Sequence, residues 1–231
     1  MNTPRQFSKP NRPLALVHPA LVAIGFVVFL SACSSGPPVP DWSVSAYGHV
    51  ERARVAYLRG QDRVANREFD LARADMARTG RPDLVARVEL NRCAVQVAAL
   101  DFGDCPGFAP LAQDATADER AYAAYLQGQA TPAQAALLTE PQRAIAAGRV
   151  NLSAEGDPVS QLVAAGVLMR QNQATPDVVA QAAAIASHQG WPRALLAWLG
   201  GQARLADERG DAAEAARIRR QMDLVSPEKA R

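Results

Sequence analysis

Thr131-Pro132, Asp157-Pro158 and Thr175-Pro176 each set a short capping side chain directly before a proline, and the three pairs fall within fewer than fifty residues. A Thr hydroxyl or Asp carboxylate accepts from the free N–H groups of a first helical turn. Proline at the first helical position loses nothing, because the N–H it lacks has no intrahelical partner there. Such closely spaced starts restrict this stretch to short helices joined by tight turns. Thr116-Ala-Asp-Glu119 adds a capping-box pattern leading a helix through Tyr122, Tyr125 and Leu126 to Gly128. Upstream, Asp62 is expected to cap a helix running to Gly80, with Ala65, Phe69, Ala72 and Met76 on one stripe. Pro82 opens the next, with Val85, Val88, Val95 and Leu100 largely on its buried side.

The composition agrees with helices. Hydrophobic residues make up 48% of the chain and aromatic residues only 6%, so the core must be built from Ala, Leu and Val. Small side chains let helices approach closely. Runs of alternating β-branched residues are few, and strand signals are correspondingly weak. The expectation is an all-α protein of stacked antiparallel helical hairpins. The least regular connection runs from Gly148 to Gly156 and separates N-terminal hairpins over 42–150 from C-terminal ones over 151–231.

The first residues read differently. Arg5, Lys9 and Arg12 precede a run from Leu14 to Leu30 that only His18 and Pro19 interrupt, and Leu30-Ser31-Ala32-Cys33 follows. The clean apolar stretch, Ala20 to Leu30, falls well short of the roughly 20 residues a spanning helix needs, so the pattern is that of a secretory signal. Leu30-Ser31-Ala32-Cys33 resembles the lipobox of bacterial lipoproteins. That resemblance implies cleavage before Cys33, giving a signal peptide over 1–32 and a lipid-bearing Cys33 that anchors the chain to a membrane, where two or three acyl chains hold stably and one does not. Ser34 resembles the residue that lets such proteins reach the outer membrane, on its periplasmic face. Residues 33–41, with Ser34-Ser35-Gly36-Pro37-Pro38-Val39-Pro40, read as a tether.

Removing residues 1–32 lowers the basic count from 25 to 22 against 23 acidic residues. The mature chain is nearly neutral, which gives no support for nucleic-acid binding. With Cys33 committed to lipid, Cys93 and Cys105 remain, an even pair in an oxidising compartment, and a disulfide between them is expected.

Two stretches suggest a repeat. Gly60, Ala65, Phe69 and Ala72 match the second half of a tetratricopeptide repeat. Gly210, Ala215, Met222 and Pro227 match the same frame, with Arg219 at the usual large apolar position. The resemblance implies tetratricopeptide-like hairpins and the extended concave surfaces that helical repeats form. The generic alternative is an irregular helical bundle.

A search for chemistry finds little. His49 and His188 stand far apart in sequence without a second ligand at metal spacing. Phosphate loops, Gly-x-Ser-x-Gly and His-Glu-x-x-His are absent; no metal or cofactor is expected. Glu119, Glu140 and Glu155 sit at a cap, a helix start and the irregular linker. The remaining constellation is Trp191, Leu195, Trp198 and Leu199, spaced i, i+4, i+7 and i+8. Core packing is the first reading of such a stripe. The functional one is an anchor for a partner peptide through Trp191, Leu195 and Trp198, with Arg217, Arg219 and Arg220 near enough in sequence to supply charge. The function expected is a membrane-anchored scaffold in an envelope assembly, non-catalytic, whose partners are membrane lipid through Cys33 and another envelope protein. The competing class is a cell-wall enzyme using a Glu in a helical cleft.

Overall fold

A computed structural model describes residues 40–226, and among these it contains helices and no strands. The signal segment, Cys33 and the tether up to Val39 lie outside the described residues. The helices are α1 Asp41–Leu58, α2 Asp62–Ala77, α3 Pro82–Ala98, α4 Ala117–Leu126, α5 Pro132–Ala135, α6 Glu140–Ala146, α7 Pro158–Arg170, α8 Pro176–His188, α9 Pro192–Glu208 and α10 Ala212–Val225. 3-10 turns occupy Ala109–Leu111 and Leu152–Glu155.

The capping residues act as their sequence positions predict. Thr116 accepts from the Glu119 N–H at 3.3 Å while the Glu119 carboxylate accepts from the Thr116 N–H at 2.8 Å. Thr131 accepts from Gln134 N, Asp157 from Val159 N and Ser160 N, and Thr175 from Val178 N. Asp62 is the exception. Gln61 holds the cap position without a side-chain bond, and the Asp62 carboxylate instead pairs with Arg193 of α9 at 2.6 Å. The Arg193 guanidinium also lies 4.3 Å above the Tyr57 ring, so the ninth helix returns to the first hairpin.

Helix α3 organises the interior. Eleven of its 17 residues are buried, and α1, α2, α4 and α7 all pack against it. A helix apolar on most sides has to be enclosed; the single buried side read from Val85, Val88 and Val95 understates this. Leu100, expected on that side, lies past the helix end and is only partly buried. The last turn of α3 is crossed twice. Gly166 of α7 sits so close that a Cβ placed on it would lie 2.3 Å from the Val97 carbonyl oxygen. The indole N–H of Trp198, from α9, donates to the next carbonyl, Ala98 O, at 3.0 Å inside the core. Helix C-termini leave carbonyls without intrahelical partners, and this one is satisfied by a side chain 100 residues away.

Helix ends share one closure. At Gly60 and Gly210 the chain turns left-handed (φ 78° and 74°), and the following N–H reaches back to Ala56 O and Ala206 O at 2.9 Å each. This is the Schellman arrangement, which glycine adopts without steric cost. Leu100 (φ 57°) and Asn172 (φ 56°) make the same turn after α3 and α7 without being glycine, alone in this among the described residues.

The first hairpin carries an ion cluster that the sequence pattern does not announce. His49 Nδ1 lies 2.6 Å from Glu68 Oε2, to which Arg52 Nε donates at 2.9 Å. The hydrogen bond with His49, and then the one from Arg52, hold the Glu68 carboxyl below its ordinary range. A depressed carboxyl contributes stability above its unfolded value, near 4.3, and that contribution fades as the pH falls through the lower folded value. Glu68→Gln is therefore expected to cost about 0.5–1 kcal/mol at neutral pH and to flatten the acid limb of stability against pH, as read by urea titrations at pH 7 and pH 3.

Candidate functional site

The tryptophan helix is mostly interior. Trp198 is fully buried, Trp191 is 5% exposed and Leu199 6% exposed; Trp191 precedes α9 as its cap residue. Held inside the body, Trp191 and Trp198 serve packing, and Trp198 also completes the end of α3. Of the three residues expected to contact a partner, only Leu195 reaches the surface, and it does so in a groove.

That groove, of about 400 Å³, runs between α8 and α10 with α9 as its floor. Leu195 and Leu199 form the floor, Ala180 and Ala184 one wall, and Leu224 and Val225 the other. The walls stand apart because α8 and α10 each pack on α9. Only Ala215 and Ile218 of α10 are buried, which leaves Leu224 88% exposed at the rim. Ile218, one residue before Arg219, takes the large apolar position expected of 219; Arg219 itself pairs with Asp207. Arg217 lines the groove and is held by both oxygens of Glu214, at 2.7 and 2.6 Å.

The acidic candidates are placed as follows. Glu119 is 5% exposed, and both its oxygens are engaged, one by Arg87 Nε at 2.7 Å and the other by the Thr116 N–H. This bond holds the Arg87 pKa above its ordinary value. Glu140 is the exposed first residue of α6, and the Glu155 side chain lies outside the described residues. Two further buried carboxylates, Asp75 and Glu89, are paired with Arg78 at 2.7 Å and Arg73 at 3.1 Å. His188 ends α8. Among the described residues, no group of three His, Cys, Asp or Glu is placed to hold a metal ion, and no helix is long and apolar enough to cross a membrane.

Cys93 and Cys105 are joined by a disulfide, with Sγ–Sγ 2.14 Å and Cα–Cα 5.7 Å. It closes a short loop, and constraint of the unfolded chain by such a loop contributes roughly 3 kcal/mol. Within the ring it closes, the stretch from Asp101 to Asp104 is exposed and is pinned by the bond to the helix that precedes it. It is held at two more points: the Tyr57 hydroxyl donates to Asp101 at 3.0 Å, and Arg170 donates to the Phe102 carbonyl at 3.2 Å. Burial, with the neighbouring Asp101 carboxylate, pushes the Tyr57 pKa up to about 12, so its phenol remains a donor.

Comparison with protein-family models, with curated proteins and with solved structures finds no match to this chain.

Proposed function

We propose that this chain is a lipid-anchored, non-catalytic scaffold of a bacterial envelope assembly, and that it holds a partner protein in the groove over α9. The anchor reading rests on Leu30-Ser31-Ala32-Cys33 and the basic-then-apolar segment before it. Cys33 carries the lipid and the chain faces the periplasm from the outer membrane. An oxidising compartment of that kind suits the Cys93–Cys105 disulfide. The helical body is tetratricopeptide-like in its local frame. Gly60 and Gly210 each turn the chain into a helix whose Ala65 and Phe69, or Ala215 and Ile218, point inward.

One observation carries the scaffold reading: an open groove with an apolar floor at Leu195 and Leu199 and a leucine 88% exposed at its rim. Apolar anchors in grooves account for most binding energy in helix-in-groove recognition. The engaged oxygens of Glu119 make the scaffold the better reading than the cell-wall enzyme.

A photoreactive residue at position 195 in the full chain, expressed in cells, tests this. A single envelope protein is expected to crosslink there, and Leu224→Glu is expected to abolish the adduct while the protein stays folded. Cys33→Ser is expected to release the chain from the membrane fraction. An anchored, folded protein that crosslinks to nothing from position 195 would remove the scaffold reading and direct attention to assays of cell-wall cleavage.

A further inference from the structure

On another part of the body the pinned loop forms one wall of a polar cleft of about 700 Å³. Phe102 and Asp104 stand on that wall, Gln127 and Gln129 follow the end of α4, Asn172 follows α7, and Arg204 projects from α9. Three features set this depression apart. The wall is pre-organised: within five residues it is fixed by the Tyr57–Asp101 hydrogen bond, the Arg170–Phe102 contacts and the disulfide at Cys105. An exposed loop held at three points loses little entropy on binding. Next, Leu100 leads into the wall and Asn172 stands in the cleft, and these are the non-glycine left-handed residues noted above. Both residues close a helix as Gly60 and Gly210 do, with the following N–H bonded back to Gln96 O and Leu168 O, which fixes where these two sides of the cleft begin.

The third feature is chemical. The side chains of Asp104, Gln127, Gln129 and Asn172 have no hydrogen bond or ion pair with the rest of the described protein. Arg204 has only Glu208 at 3.7 Å and a long contact to the Met169 sulfur. Planar amides and a carboxylate offer donors and acceptors side by side, which is what adjacent hydroxyls and acetamido groups require. Phe102, 36% exposed, and the Met169 thioether supply the limited apolar contact that a sugar face and an acetyl methyl need. Two guanidiniums, Arg170 and Arg204, line the cleft with the Asp104 carboxylate, and Glu208 beside Arg204 supplies the second negative charge, a balance that favours a neutral ligand over an acidic one. A peptide would call for deeper apolar pockets than this lining has.

We propose that this cleft binds an N-acetylated oligosaccharide strand, with Gln127, Gln129, Asn172 and Asp104 reading its polar groups and Phe102 stacking on a ring. The site is separate from the groove over α9, so it stands or falls independently of the crosslink at position 195.

The test is calorimetric titration of the full chain, in micelles of a detergent without a sugar headgroup. The probes are N-acetylglucosamine tetramer, maltotetraose and an uncharged tetrapeptide. Binding of the acetylated tetramer is expected, weakened roughly tenfold or more by the double variant Gln127→Ala with Gln129→Ala, in line with losing one or two hydrogen bonds. Phe102→Ala is expected to act similarly. Both alterations are at exposed side chains, and unchanged circular dichroism confirms that the body persists. Absence of binding by the acetylated tetramer overturns the proposal, as does binding that both variants leave intact. Equal binding of maltotetraose overturns the acetamido assignment, and binding of the tetrapeptide alone, sensitive to the same variants, makes this a peptide site instead.

Discussion

Trp198→Ala is expected to remove roughly 5 kcal/mol of stability. Truncating a buried tryptophan costs about 3–5 kcal/mol, and this one is fully enclosed. The substitution also deprives the Ala98 carbonyl of the indole donor at 3.0 Å, and a buried acceptor left alone costs about 1–3 kcal/mol. Against the roughly 5–15 kcal/mol that holds a typical domain together, the variant should be close to unfolding. Urea denaturation checks this through a lowered midpoint with little change in slope. Trp198→Phe separates the two terms, since it keeps most of the volume and gives up only the donor; about 1–3 kcal/mol is expected. If Trp198→Ala costs less than about 1 kcal/mol, the bond to Ala98 is not part of the folded core. Loss of a partner in the alanine variant would report unfolding rather than a contact surface, which is why Leu195 and Leu224 are the positions to alter.

Gly166→Ala sets two effects against each other with opposite signs. Helix propensity favours alanine over glycine by about 1 kcal/mol in a helix interior, and Gly166 is in the middle of α7. Packing opposes it. The added Cβ would fall 2.3 Å from Val97 O and 2.8 Å from Val97 Cγ1, and the first of these is backbone that cannot swing aside. Relief requires α3 and α7 to separate along a contact that includes Val163, Ala164 and Val167, all buried. Overpacking of this kind costs about 1–3 kcal/mol and at times more, and a clash with backbone belongs at the upper end. Net destabilisation of about 2 kcal/mol is expected, read as a lower thermal midpoint; a rise would show that the crossing relaxes freely.

Local chemistry made the helix boundaries legible. A Thr or Asp before proline, or a Thr three residues before Glu, carries its own reason for starting a helix, and Thr116, Thr131, Asp157 and Thr175 all do so here. Asp62 offered the same side chain, but its carboxylate serves Arg193 instead, a tertiary pairing invisible to local pattern. Ile218 and Arg219 show the same limit at a finer grain: a repeat template places the large residue one position late, and burial corrects it. The i, i+4, i+7, i+8 stripe identified a packing helix, yet the direction of the Trp198 indole, toward a carbonyl of α3, has no sequence signature. Leu195 was visible as part of that stripe; the walls that turn it into a groove floor come from two other helices. The polar cleft was not legible at all. Its side chains come from four separate stretches, and two of its backbone turns lack the glycine that would have marked them.

The consecutive carbonyls of Val97 and Ala98 bear on how the chain is made. Neither neighbour, Gly166 nor Trp198, exists when α3 is first synthesised. At about 5–20 residues per second, a bond spanning 100 residues leaves the end of α3 unfinished for about 5–20 s. Throughout that interval a helix with eleven buried residues has no complete enclosure. The end of α3 is thus completed late, by Gly166 of α7 and then Trp198 of α9, although α1, α2 and α4 can pack on the same helix before either arrives.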